Sequence, residues 1–220
     1  MTRRQTLLAS ALIVSAGLVA TFALADAPKD AKSGAAGATN KPEMKLPPGW
    51  TEADMQACMA AATPGKMQEL LAADAGTWTG KNTMWMGPDT EPMQAESTTV
   101  ITPIMEGRYT KVEVKGEMPG MGPFEGFGIY GFDNVSQKFS CTWIDNHSTG
   151  IAQGTGELSK DGKVLTLNYT YNCPVTKKPT TMREIHTTTG PNTRTLEMWG
   201  TEPKSGKEFK MMKVELTKKS

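Results

Sequence analysis

The stretch GPFEGFGIYGFDNVSQKFSCTWIDNHSTG, Gly122 to Gly150, decides the fold. Phe124 to Phe132 alternates large apolar residues with glycine, Asp133-Asn134 is a turn pair, and Lys138 to Ile144 resumes the alternation. That pattern predicts a β-hairpin. A period of two puts Phe124, Gly126, Gly128, Tyr130 and Phe132 on one face, while Phe139, Cys141, Trp143 and Asp145 share a face on the return strand. Glycine at this density lets a sheet bend sharply and lets another backbone or a ligand come close. A curled sheet is therefore expected.

Outward from the hairpin the same period recurs between turn signals. Strands are expected over Thr77 to Met86, Met93 to Ile104 and Arg108 to Lys115 before it. After it they are expected over Gly150 to Leu158, Val164 to Tyr171, Thr181 to Thr188, Arg194 to Gly200 and Glu208 to Thr217. About ten antiparallel strands crowd one flat sheet, and closure into an up-and-down barrel removes the exposed edges. A β-sandwich is the alternative.

Before the strands the period is helical. Thr51 with Asp54 is a capping-box-like start, and Met55, Cys58, Met59 and Ala62 fall at helical spacing, which predicts a short amphipathic helix. Thr63 as N-cap and Pro64 at the first helical position predict a second, with Met67, Leu70 and Leu71 on one face and its end near Gly76. The expected organisation is thus residues 50–75 as N-terminal helices and 76–220 as the barrel.

The first 49 residues read differently. Thr2-Arg3-Arg4 is a basic n-region, Leu7 to Leu24 is mostly apolar, and Ala23-Leu24-Ala25 matches the small-x-small pattern of a cleavage site. Residues 1–25 are expected to be an export signal, the rival being an uncleaved membrane anchor. Residues 26–49, rich in alanine, lysine, glycine and proline, are expected to be a flexible linker. The expected location is periplasmic or secreted. No later segment carries an apolar run near ~20 residues, so no membrane span is expected after cleavage.

Charge excludes one class of partner. Cleavage removes Arg3 and Arg4 from the 24 basic residues and none of the 23 acidic ones, which leaves the chain nearly neutral. The remaining basic residues are mostly scattered lysines, so a phosphate-tracking surface for nucleic acid is not expected. Cys58, Cys141 and Cys173 allow at most one intramolecular disulfide, and their spacing matches no Cys-x-x-Cys metal or redox site.

Gly76-Thr77-Trp78 after a short helix looks like the Gly-x-Trp start of lipocalins and other calycin barrels. To it are added Gly107-Arg108-Tyr109, Phe124-Glu125-Gly126-Phe127-Gly128, Tyr130-Gly131-Phe132-Asp133, Trp143-Ile144-Asp145, Arg183-Glu184 and Gly206-Lys207-Glu208-Phe209. In this order the motifs resemble the bacterial domain-of-unknown-function family 1579, over roughly Met67 to Lys218. The resemblance implies a lipocalin-like barrel and no assigned activity. It also implies that Trp78 packs at a barrel end under a basic residue of the final strand, here Lys213 or Lys218.

After cleavage, arginine is left only at Arg108, Arg183 and Arg194. Arg108 shares strand parity with Val112 and Val114, and Arg183 shares it with Ile185, so both are expected to point into the barrel. Asp145, Glu184 and Glu197 are available as partners in structural ion pairs. If an arginine is left partly free, it suits the carboxylate or phosphate of a small ligand, with Tyr130 and Trp143 as an apolar wall beside Asp145. With the opposite parity, Glu184 and His186 line the cavity as a carboxylate and imidazole pair suited to acid-base work.

Met84-Trp85-Met86, Met118 with Met121, and Met211-Met212 invite a soft-metal reading, but methionine commonly fills irregular core space and no histidine or cysteine adjoins them in sequence. His147 and His186 are too few for a histidine zinc site; one histidine suffices for haem ligation, which absorbance near ~400 nm would reveal. No Ser-His-Asp motif, phosphate loop or dinucleotide fingerprint is present, so no metal and no cofactor is expected. The expected function is binding of a small anionic or apolar molecule in the barrel, or service as an envelope accessory protein. The alternative is an enzyme acting on a small polar substrate inside the barrel.

Overall fold

The structure is a computed structural model that describes residues 46–219. The expected export signal, residues 1–25, and the linker as far as residue 45 lie outside the described residues. Two helices, α1 (Glu52–Ala62) and α2 (Lys66–Ala73), precede ten strands. These are β1 (Gly76–Met84), β2 (Met93–Ile104), β3 (Tyr109–Met118), β4 (Gly122–Asp133), β5 (Lys138–Asp145), β6 (Ala152–Leu158), β7 (Val164–Asn172), β8 (Pro179–Gly190), β9 (Thr193–Thr201) and β10 (Glu208–Lys218).

Every strand pairs antiparallel with its neighbours in sequence, and β10 returns to pair with β1, Trp78 opposite Lys218 and Met84 opposite Met212. The result is a closed, lipocalin-like up-and-down barrel with no free edge. Eight strands give an interior that side chains just fill, so ten leave room for a lumen.

The hairpin β4–β5 shows why its glycines matter. Gly126 stands opposite Asp145 and Gly128 opposite Trp143. A Cβ on Gly126 would sit 2.5 Å from Trp143 Cζ2, and one on Gly128 would sit 3.1 Å from Cε3. The indole therefore lies flat along the inner wall over two positions that carry no side chain.

One end of the barrel is closed by α2. Met67 and Leu71 pack against a core of Tyr130, Phe139, Cys141, Leu165, Leu167 and Tyr169. Gln68 Nε2 donates to the Phe132 carbonyl at 2.9 Å, tying the helix to the β4–β5 turn.

The helix boundaries differ from the sequence expectation. The N-cap of α2 is Gly65, not Thr63, because the Thr63 hydroxyl donates back to the Met59 carbonyl and so closes α1. Helix α1 has the Thr51–Asp54 capping box but buries no residue, with Cys58 exposed. Since α2 already covers the barrel end, α1 is held outside it through its last carbonyls: Asn134 Nδ2 donates to Ala61 and Thr63, and Arg108 Nε donates to Ala62.

Candidate functional site

Register sorts the inner wall into layers. Nearest the helix-capped base, Trp78 lies between Thr99 and Lys218. The next layers run Ser97–Gly80–Leu216–Arg194 and Ala95–Asn82–Val214–Leu196–His186. Towards the other end comes Met93–Met84–Met212–Met198–Glu184, continuing to Leu167 on β7.

Trp78 is 1% exposed, and its indole N–H donates to the Asp74 carbonyl at 2.8 Å. The guanidinium of Arg194 lies 5.2 Å from the ring centroid and the ammonium of Lys218 lies 5.5 Å from it. Arg194 also pairs with the Asp74 carboxylate at 2.6 Å. This arginine was not placed by sequence, which looked for the closing base on the final strand alone. Its parity with Leu196 and Met198 was the available signal. Lys213 faces outward and pairs with Glu215.

Neither of the two expected ligand-binding arginines is in the lumen. Arg108 precedes β3 in a turn where Met105, Glu106 and Gly107 all have positive φ, so strand parity does not extend to it; it is solvent-exposed and bonds to Glu106 and to α1. Arg183 points outward, where it pairs with Glu208 at 3.2 Å and lies 5.8 Å from the Trp199 ring. Its neighbour Ile185 is on the outer face as well, opposite Glu197, so an apolar residue here does not mark the interior.

The opposite parity therefore holds for β8, and Glu184 and His186 face inward. Glu184 keeps only 7% of its side chain exposed and lies 3.4 Å from His186 Nε2. That nitrogen is sealed from solvent without a well-formed hydrogen bond. Burial pulls the imidazole's pKa down, but the charge of Glu184 and its contact with the ring, aided by Asp74, outweigh burial and raise the pKa above its ordinary value.

Beside the pair, the Tyr130 and Tyr169 hydroxyls are 3.1 Å apart, and the His186 ring stands edge-on to Tyr130 with centroids 6.2 Å apart. Desolvation, then the nearby Glu184 charge, raises the Tyr130 phenol well above its ordinary range. Burial likewise pushes the Cys141 thiol up to about 12, so it is a neutral hydrophobe.

Trp143 and Asp145 lie higher on the wall. Asp145 is occupied locally, accepting from the Trp143 indole N–H at 3.1 Å and from the His147 backbone N–H at 3.0 Å. Among the described residues it partners no arginine. Glu197 faces outward and binds Lys210. The three cysteines are free, and among the described residues no group of three His, Cys, Asp or Glu side chains is placed to hold a metal ion.

Concavities of about 580 Å³ and 330 Å³ mark the barrel wall, the larger flanked by Lys81, Glu96, Lys115 and Glu215 and the smaller by Lys138 and Glu157. Charges of both signs ring each, which favours no one ligand class.

The profile of the family described as "Protein of unknown function (DUF1579)" matches residues 63–218, from just before α2 to the end of β10. The chain belongs to the DUF1579 family. No curated protein matches it. Among solved structures, this DUF1579 barrel is similar to Rv2717c from M. tuberculosis, at 13% identity and a TM-score of 0.55, covering 72% of this chain and 100% of that one. It is also similar to the S-type phycobiliprotein lyase CPES from Guillardia theta, at 10% identity and a TM-score of 0.52, covering 71% and 94%. At these identities the likeness is one of fold.

Proposed function

We propose that this DUF1579 protein binds a small molecule in the lumen, and that the bound head group is cationic or hydrogen-bond donating rather than anionic. The observation that carries the reading is Glu184, a carboxylate more than nine-tenths buried whose ionisable contact among the described residues is His186. A buried carboxylate with so few partners needs a donor, and a ligand can supply it. The arginines that favoured an anion lie elsewhere: Arg108 and Arg183 are outside, and Arg194 is neutralised by Asp74.

Tyr130, Trp143 and the methionines of the inner wall provide an apolar surface for the rest of the ligand. The phycobiliprotein lyase CPES shares a similar barrel, which supports the reading of the fold as a binding scaffold. The signal-like pattern of residues 1–25 supports an envelope or secreted setting for this binding.

The second reading is enzymatic. The Glu184–His186 contact, with Tyr130 one ring away, supplies a base and an acid within reach of one substrate. A binding protein retains its compound unchanged, whereas an enzyme alters it.

The experiment is a thermal-shift screen of matched amphiphiles that differ only in head group, cationic, neutral-donor and anionic, with native mass spectrometry of the hits. Cationic or donor compounds should raise the midpoint, and Glu184→Gln should abolish the cationic preference. Stabilisation by the anionic series alone would overturn the proposal, and recovery of a compound with altered mass would favour the enzyme.

A further inference from the structure

The methionines that sequence left as scattered core fillers are brought together by the barrel. Met84 stands opposite Met93 on one side and opposite Met212 on the other, and Met212 stands opposite Met198. They form one row across β2, β1, β10 and β9, on the inner face. A register shift between Lys210 and Met212 adds Met211, whose sulfur lies over Gly200 where any other residue would place a Cβ. Met84 is 8% exposed, while Met93, Met198, Met211 and Met212 are only half-buried.

Met84 is part of the buried core, whereas the other members of the row are only half-buried. The main core cluster lies on β4, β5 and β7, where Met67 of α2 and Met182 of β8 pack against it, and the row lies on the other side of the barrel. Residues directly opposite in a sheet have Cβ atoms about 4.5–5.5 Å apart, and three rotatable bonds let neighbouring thioethers converge on a point between them. Thioether sulfur is soft and neutral, so it selects Cu(I) and Ag(I) over hard cations such as Mg²⁺ or Ca²⁺.

A second observation concerns charge. The residue opposite Met198, next in the same row, is Glu184, the buried carboxylate that among the described residues meets His186. A monovalent cation held by neutral sulfurs in a poorly solvated lumen needs a nearby negative charge, and Glu184 provides one.

We propose that Met84, Met198 and Met212 form a soft-metal site for Cu(I), with Met93 and Met211 as flanking thioethers and Glu184 as the balancing charge. This goes beyond binding of an organic ligand, since either can hold without the other. The metal enters already reduced, so no electron transfer is involved.

The test is anaerobic titration of the chain with Cu(I) against a chromophoric Cu(I) chelator, with Ag(I) and native mass spectrometry as a redox-inert check. It is done in a Cys58→Ser background, because Cys58 is the exposed thiol. One equivalent should bind per chain with no comparable uptake of Zn²⁺. Met84→Leu/Met198→Leu/Met212→Leu should weaken binding by at least about tenfold, a volume-conserving change that cores tolerate. Met86→Leu/Met121→Leu, at exposed positions, should not. If the triple variant does not fold, Met212→Leu alone, the centre of the row, should show the loss. Absence of Cu(I) and Ag(I) binding, or binding that survives removal of the thioethers, would overturn the site.

Discussion

The guanidinium of Arg194 on β9 lies 5.2 Å from the Trp78 ring centroid on β1 while holding Asp74 at the end of α2. This one side chain joins the penultimate strand, the first strand and the closing helix. It donates as well to the Gly190 carbonyl at 2.7 Å, which secures the β8–β9 turn. Closure of the base is thus an arginine function shared with Lys218.

Arg194→Met should destabilise the fold by about 3 kcal/mol. That is the low end for breaking a buried pair, because Asp74 keeps 35% of its side chain exposed and water can replace part of the interaction. Trp78→Ala should cost roughly 3 to 5 kcal/mol, as removal of a buried aromatic does. Chemical denaturation of both variants and the double variant measures the coupling. Additive effects would show that the stacking contributes nothing beyond the separate contacts.

Arg183→Met should change stability by less than about 1 kcal/mol, because its pair with Glu208 is largely solvated. Arg108→Met should cost about 1 kcal/mol, the scale of a lost helix-end hydrogen bond. A loss above about 3 kcal/mol in either variant would contradict the outward placement of these side chains.

Most of the barrel was legible in the sequence, because period-two alternation and turn residues are local signals. The residues that share a face on β4 and on β5 followed directly from alternation, though not which face points inward. Arg183 did not, since Ile185 suggested an inward face while the outer wall of β8 and β9 itself carries Ile185 and Trp199. Arg108 failed for another reason: left-handed backbone at Met105 to Gly107 breaks the parity one residue before the strand begins. The methionine row was out of reach, because Met84, Met93, Met198 and Met212 are brought together only by strand register and barrel closure.

Gly126→Ala tests the packing of the inner wall. The added Cβ meets Trp143 Cζ2 at 2.5 Å, so the indole must shift, and overpacking of this kind costs about 1–3 kcal/mol. Near-ultraviolet circular dichroism should change along with the denaturation midpoint. An unchanged spectrum at full stability would show that the indole does not rest on Gly126.

The last prediction concerns pH. His186 is faced by Glu184 on its own strand, by Tyr130 across the lumen, and by Leu165 and Leu196 on the flanking strands, with Asp74 adding charge from the base. Its folded pKa lies above the ordinary ~6.5, because Glu184 favours the imidazolium more than burial disfavours it. A histidine raised in this way stabilises the fold fully below its unfolded pKa and loses that contribution as pH rises through the folded value. The carboxylates with lowered pKa, such as Asp133 and Glu197, act in the opposite sense, but their stabilisation is lost only as pH falls below roughly 4, so it stays constant between about pH 5.5 and 8.5. Denaturation across that window should therefore show stability falling with rising pH. Glu184→Gln removes the charge that favours imidazolium and leaves burial to dominate, so its slope should flatten or reverse. A wild-type slope that survives Glu184→Gln unchanged would assign the titration to another group and remove the Glu184–His186 pair from the account of the site.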